Sequence, residues 1–76
     1  MKIYVRRKHI KAGTRGSSRK CPIALAFEEV VGEQPLVDND SLSTHDEGFA
    51  LPRSAQRFIK RFDHNKPVKP FAFFLR

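Results

Sequence analysis

The side chains with chemistry to offer in this chain of 76 residues are one cysteine, three histidines and eight carboxylates. Cys21 precedes Pro22, a residue suited to the first helical position, and a helix N-terminus lowers the pKa of a thiol. Arg19 and Lys20 beside it act in the same sense. Nucleophilic catalysis also needs a positioned base, and His9, His45 and His64 are scattered, with nothing to place one near the sulfur. The plainer expectation is a small buried residue that packs and helps to cap the helix. A zinc site built from Cys21 and the histidines lacks the CxxC or HxxxH pair that anchors such sites. Asp38 and Asp40 alternate as on one strand face, and Asp46-Glu47 suit a turn. Neither pair forms the Asp/Glu-plus-His constellation that would suggest hydrolysis or metal-assisted catalysis. These acids read as a solvated edge that discourages sheet-to-sheet association. The expectation is a protein that is not an enzyme, with no cofactor and no metal.

Charge carries more information than any catalytic constellation. Formal net charge is +7, and its distribution is segregated. Residues 1–20 hold eight Lys or Arg and no acid, residues 21–50 hold seven acids and no Lys or Arg, and residues 51–76 hold seven Lys or Arg against Asp63 alone. Such a pattern predicts separate cationic and anionic surfaces, and a basic balance points to nucleic acid or to an acidic protein surface as partner. The competing explanation is that excess cations confer solubility only. A single cysteine excludes an internal disulfide framework and fits a reducing cytoplasm. No apolar run approaches a bilayer span, and Met1–Arg6 is not a signal peptide, so a soluble, membrane-free, cytoplasmic chain is expected.

Four segments must position these groups. Ile3 and Val5 alternate with Lys2, Tyr4 and Arg6, the period of a strand with one apolar face. Phe71 to Leu75 forms a second strand after Pro67 and Pro70, with Phe71, Phe73 and Leu75 inward and Phe74 outward. If the two strands are neighbours, Tyr4 and Phe74 share an open face with Lys2, Arg6 and Arg76. Aromatics interleaved with cations suit single-stranded nucleic acid, whose bases stack and whose phosphates pair. The third segment, Thr14 to Lys20 (TRGSSRK), reads as a mobile loop in which Arg15, Arg19 and Lys20 could meet phosphate, although no Gly-Lys-Ser/Thr ending makes it a phosphate cradle. The fourth is Leu51 to Asp63. Ala55, Phe58, Ile59 and Phe62 fall at i, i+3, i+4 and i+7, one helical stripe, and Arg53, Arg57 and Lys60 recur on the other side. No helix-turn-helix pattern makes this a recognition helix.

Between these segments, Arg7–Ala12 fits one helical turn closed by Gly13, with Ile10 inward. A helix from Cys21-Pro22 to a stop at Gly32 presents Ile23, Phe27, Val30 and Val31 as its apolar face. Leu36–Ser43 and Gly48–Leu51 are expected to pair as a hairpin through Thr44–Glu47. The sum is a single α+β domain over residues 1–76: a small two-layer fold with an antiparallel or mixed sheet of three to four strands packed on two main helices.

The pieces Cys21-Pro22-Ile23-Ala24-Leu25-Ala26, Leu51-Pro52…Phe58-Ile59…Phe62-Asp63 and Pro67-Val68…Pro70-Phe71-Ala72-Phe73…Leu75 resemble small uncharacterised proteins encoded by bacteriophages and prophages. The matching pieces span about half of the chain. The resemblance implies a phage-type accessory protein acting in the cytoplasm of a bacterial host cell, and it assigns no catalytic or binding residue. Together the readings give a non-catalytic basic binding module that binds nucleic acid. Its candidate contacts are Lys2, Tyr4, Arg6, Arg15, Arg19, Lys20, Arg53, Arg57, Lys60 and Phe74. The alternative is a protein-binding inhibitor or modulator that docks on an acidic surface of a host nucleic-acid enzyme of the transcription or defence machinery. The sequence leaves the oligomeric state open.

Overall fold

Phenylalanine builds the centre of this protein. In the computed structural model, which describes residues 1–76, the rings of Phe62, Phe58, Phe71 and Phe73 form a stacked series with successive centroids 6.1, 4.8 and 5.5 Å apart. The helix over Arg53–Asp63 supplies the first two rings and the strand over Phe71–Phe74 the last two. Numbered in chain order, the elements are β1 (Lys2–Val5), α1 (Arg7–Ala12), α2 (Pro22–Val31), β2 (Leu36–Val37), β3 (Ser41–Ser43), β4 (Gly48–Ala50), α3 (Arg53–Asp63) and β5 (Phe71–Phe74). The class is α+β, as the pattern of elements predicts. The strands divide into two antiparallel sheets, β1-β5 and β2-β3-β4.

The terminal strands are neighbours, with Lys2 opposite Phe74, Ile3 opposite Phe73, Tyr4 opposite Ala72 and Val5 opposite Phe71. Met1 and Leu75 continue the ladder by exchanging both backbone bonds, at 3.0 and 2.8 Å. Because hydrogen-bonded and non-hydrogen-bonded pairs alternate, Lys2–Phe74 and Tyr4–Ala72 are the non-hydrogen-bonded pairs, where facing side chains come closest. Ile3, Val5, Phe73 and Leu75 point into the core, while Lys2, Tyr4 and Phe74 point outward.

The stripe Ala55, Phe58, Ile59 and Phe62 is buried along α3. The helix starts at Arg53 with Pro52 as its cap and ends in a Schellman arrangement. The Lys66 N–H donates to the Arg61 carbonyl (2.8 Å) and the Asn65 N–H to the Phe62 carbonyl (3.1 Å). Asn65 takes the left-handed φ of 59° that this ending demands. Likewise Gly32, at φ 82°, closes α2 with its N–H on the Glu28 carbonyl. Gly13 closes α1 for a different reason. It is extended rather than left-handed, and a Cβ there would lie 2.6 Å from Cδ of Pro22, so only glycine lets the α1 exit cross the start of α2.

Several sequence expectations need correction. On α2 the buried face is Ile23, Ala24, Ala26 and Phe27; Val30 and Val31 project into solvent, because the last turn meets α1 through Glu29, on Lys8 and His9, and not through its valines. The stretch Leu36–Ser43 is two strands, with Asp38, Asn39 and Asp40 turning between β2 and β3, so Asp38 and Asp40 do not share a strand face. The second turn, Thr44–Glu47, joins β3 to β4 as expected, with Leu42 opposite Phe49. Ile10 is only half-buried, and the fully packed residue of α1 is His9. The Thr14–Lys20 loop is tied down rather than free. Its Gly16 N–H donates to Asp63 Oδ1 (3.0 Å), Arg15 donates to Asn65 Oδ1, and its Ser18 carbonyl accepts from the Val37 N–H (2.8 Å).

Candidate nucleic-acid interface

On the open face of β1 and β5, alternate residues of one strand meet the outward residue of the other. The ammonium of Lys2 lies 5.1 Å from the ring centroid of Tyr4 and 5.3 Å from that of Phe74. The guanidinium carbon of Arg6 likewise lies 5.1 Å from the ring centroid of Tyr4. Lys2, Tyr4 and Arg6 are at i, i+2 and i+4 of one extended strand, which puts them on one side of it. The rings are open to solvent, Tyr4 by 45 % and Phe74 by 59 %. Exposed apolar residues scattered singly are ordinary, whereas exposed rings brought together under one ammonium make a contiguous patch, the kind of surface that marks interaction sites.

This face continues into three shallow clefts that carry cations and no acid. The first, about 360 Å³, lies between the β1–α1 junction and the start of β5, with Tyr4, Arg6, Arg7 and Phe71 in its lining. The second, about 540 Å³, shares Phe71 with the first and runs along α3, where Arg57, Arg61 and Lys69 surround a floor of Phe58 and Val68. The third, about 370 Å³, shares Pro67 and Val68 with the second and is flanked by Arg15 and Lys66. Seven cations thus border one chain of clefts whose floors are aliphatic or aromatic. Of the fifteen Lys and Arg side chains, only Lys8 is paired with a carboxylate, that of Glu29 at 3.0 Å. The positive potential of the track is therefore not cancelled by local ion pairs.

The anionic counterpart is elsewhere. Asp38, Asp40 and Asp63 line a cleft of about 540 Å³ between the Thr14–Lys20 loop, the β2–β3 turn and α3. Cys21 sits at its base, buried. Burial, and to a lesser degree the charge of Asp63, pushes the Cys21 thiol up from its ordinary value, so the sulfur stays protonated and behaves as a packing group. His9, the buried polar residue, has its Nδ1 accepting from the Arg6 N–H (2.9 Å), which leaves Nε2 to donate to Glu29 Oε2 (2.5 Å). His9 and Lys8 together hold the Glu29 carboxyl below the usual glutamate range, His9 having the larger effect. This triad joins α1 to α2 and lines none of the clefts.

The sequence-predicted contacts fall into three groups. Lys2, Tyr4, Arg6 and Phe74 are together on the ribbon face, and Arg15 and Arg57 lie in the clefts that continue from it. Lys60 borders a neighbouring cleft that is lined by Arg57 and Asp63 as well, so Arg57 joins this cleft to the track while Arg53 borders neither. Arg53, Arg19 and Lys20 are exposed but border none of the clefts described. Arg7, Arg61, Lys66 and Lys69 belong to the track and escaped sequence reading. Arg61 is also a brace, donating from Nε and Nη2 to the Pro67 carbonyl at 3.1 and 3.0 Å. A signal for the two lysines was present in Lys66-Pro67-Val68-Lys69-Pro70: proline holds such a segment extended, where a spacing of three returns side chains to one side.

No helix of the chain is long and apolar enough to cross a membrane. No family model, curated protein or solved structure matches this chain.

Proposed function

We propose that this protein is a non-catalytic nucleic-acid-binding module of phage accessory type, acting in the host cytoplasm. The supporting observation is the acid-free run of clefts from Tyr4 past Phe71 to Lys66, bordered by cations that make no ion pair of their own. A polyanion gains from such a track by releasing its condensed counterions, which makes the binding strong at low salt whatever the sequence bound. The apolar floors add room for sugar and base edges between phosphate contacts. The track is irregular and concave, unlike one straight helix laid in a groove, and α3 contributes only part of its cations.

A second reading has the same surface docking on an acidic patch of a host enzyme of transcription or defence, as an inhibitor or modulator. Its support is the hydrophobic content of the clefts, since cation-rimmed apolar floors also suit a protein surface. Affinity capture from bacterial lysate, with and without nuclease, separates the two. Nucleic acid recovered by the untreated sample, and no stoichiometric protein after digestion, is the expected result. A protein captured equally in both samples, with no nucleic acid bound, favours the second reading.

A further inference from the structure

We infer that the strand bound is single, that its bases stack on Tyr4 and Phe74, and that Lys2 is displaced from those rings as they do so. The inference rests on the nucleic-acid reading of the track and names the ligand form and the two platforms. The ammonium of Lys2 faces both rings at once, 5.1 and 5.3 Å from their centroids. It occupies the surface that a planar base would take. An exposed contact of this kind favours its closed form by about two- to fivefold in an equilibrium. A base stacked on an aromatic side chain is worth about five- to 150-fold. Stacking wins that exchange, and the released ammonium stays within reach of the adjoining phosphate.

Single-strandedness follows from what the rings can reach. Tyr4 and Phe74 offer side-chain faces standing out from a two-stranded ribbon, and the bases of a duplex present no free face to them. The cations lie to one side of these platforms, along the first and second clefts, where a backbone leaving the stacked bases would run. Neither stacking nor phosphate pairing distinguishes ribose from deoxyribose, so a strand of either sugar meets the same chemistry.

Tyr4 is the sole tyrosine and the chain has no tryptophan, so intrinsic fluorescence excited to the red of the phenylalanine band reports this ring alone. The test is a titration with unlabelled oligonucleotides of about ten residues, inside the range that one small domain covers. The arms are oligo-dT, oligo-U and a duplex of the same length, with N-acetyltyrosinamide as the control for absorbance. Binding is followed in parallel by mobility shift. The expected result is saturable quenching by the single strands and little by the duplex, with Phe74→Leu weakening single-strand affinity by roughly tenfold. Quenching by one sugar only supports the inference and identifies the source of the strand. Equal mobility shifts for single strand and duplex, with unchanged fluorescence, overturn the stacking inference and leave nucleic-acid binding standing. No shift with any arm overturns both. Circular dichroism of Phe74→Leu keeps the variant interpretable, and its exposed position leaves the core intact.

Discussion

The rings of Phe58 and Phe71 stack with centroids 4.8 Å apart and planes inclined by 27°. That contact fixes α3 against the first residue of β5, and Phe71 at the joint lines both of the clefts that meet there. The core and the candidate interface therefore share a residue pair. Phe58→Ala removes the larger share of the contact from a buried position and should cost about 3–5 kcal/mol. A domain of this length commonly has only about 4–11 kcal/mol in total. Urea denaturation followed by circular dichroism checks this, and a cooperative transition near that of the parent would contradict it.

The end of α3 depends on one left-handed residue. At φ 59°, Asn65 tolerates a conformation that a β-branched side chain resists. Asn65→Val should lower stability by about 1–2 kcal/mol, whereas Asn65→Gly should be close to neutral, since glycine adopts the same φ without strain and loses only an exposed bond to Arg15. Thermal melts of the two variants make the comparison.

Glu29 gives the protein an acid-side sensitivity. Its folded-state pKa is held below the usual value, first by the hydrogen bond from His9 and then by Lys8. The unfolded chain therefore takes up this proton more readily than the folded one. The stabilisation is fully present above the ordinary glutamate value of about 4.3 and is lost as pH falls through the lower folded value. Denaturant midpoints measured from neutral to acid pH should decline less steeply for Glu29→Gln than for the parent. Parallel declines would show that this carboxylate contributes nothing to the acid-side loss.

Arg57 is exposed, unpaired and placed in the middle cleft, so Arg57→Glu should leave the melting temperature nearly unchanged while weakening binding to every nucleic acid tested. Arg53→Glu, on the same helix but outside the clefts, should weaken it less. Fluorescence anisotropy with a labelled oligonucleotide at fixed salt ranks the two, and the reverse order would move the interface off the track.

Much of this fold is written locally. The stripe of α3, the alternation of β1 and the Gly32 stop are all short-range signals, and the structure keeps them. Where reading failed, the deciding partner mostly lay far off in sequence. Val30 and Val31 continue the apolar period of α2, but period does not say which side of the last turn meets α1, and that side carries Glu29. The burial of His9 depends on Glu29, twenty positions away. One failure was local: Asp38-Asn39-Asp40 carried turn chemistry, and the spacing of Asp38 and Asp40 suggested one strand face instead. The site divides in the same way. Pairing of the two terminal strands made Lys2, Tyr4, Arg6 and Phe74 legible as a group, because strand period alone sorts their faces. Arg7, Arg61, Lys66 and Lys69 were not legible, since the clefts they border arise only when α3, the proline segment and β5 pack together.

The central claim, that a cationic track binds a nucleic-acid backbone, is tested most directly by the salt dependence of affinity. Anisotropy titrations of a labelled single-stranded oligonucleotide, repeated from low to near-physiological salt, give log Kobs against log salt. Three to five phosphate contacts along the track predict a straight line of slope about −2 to −3.5, made shallower by Lys69→Glu. An affinity independent of salt, or no binding at the lowest salt, would contradict the account.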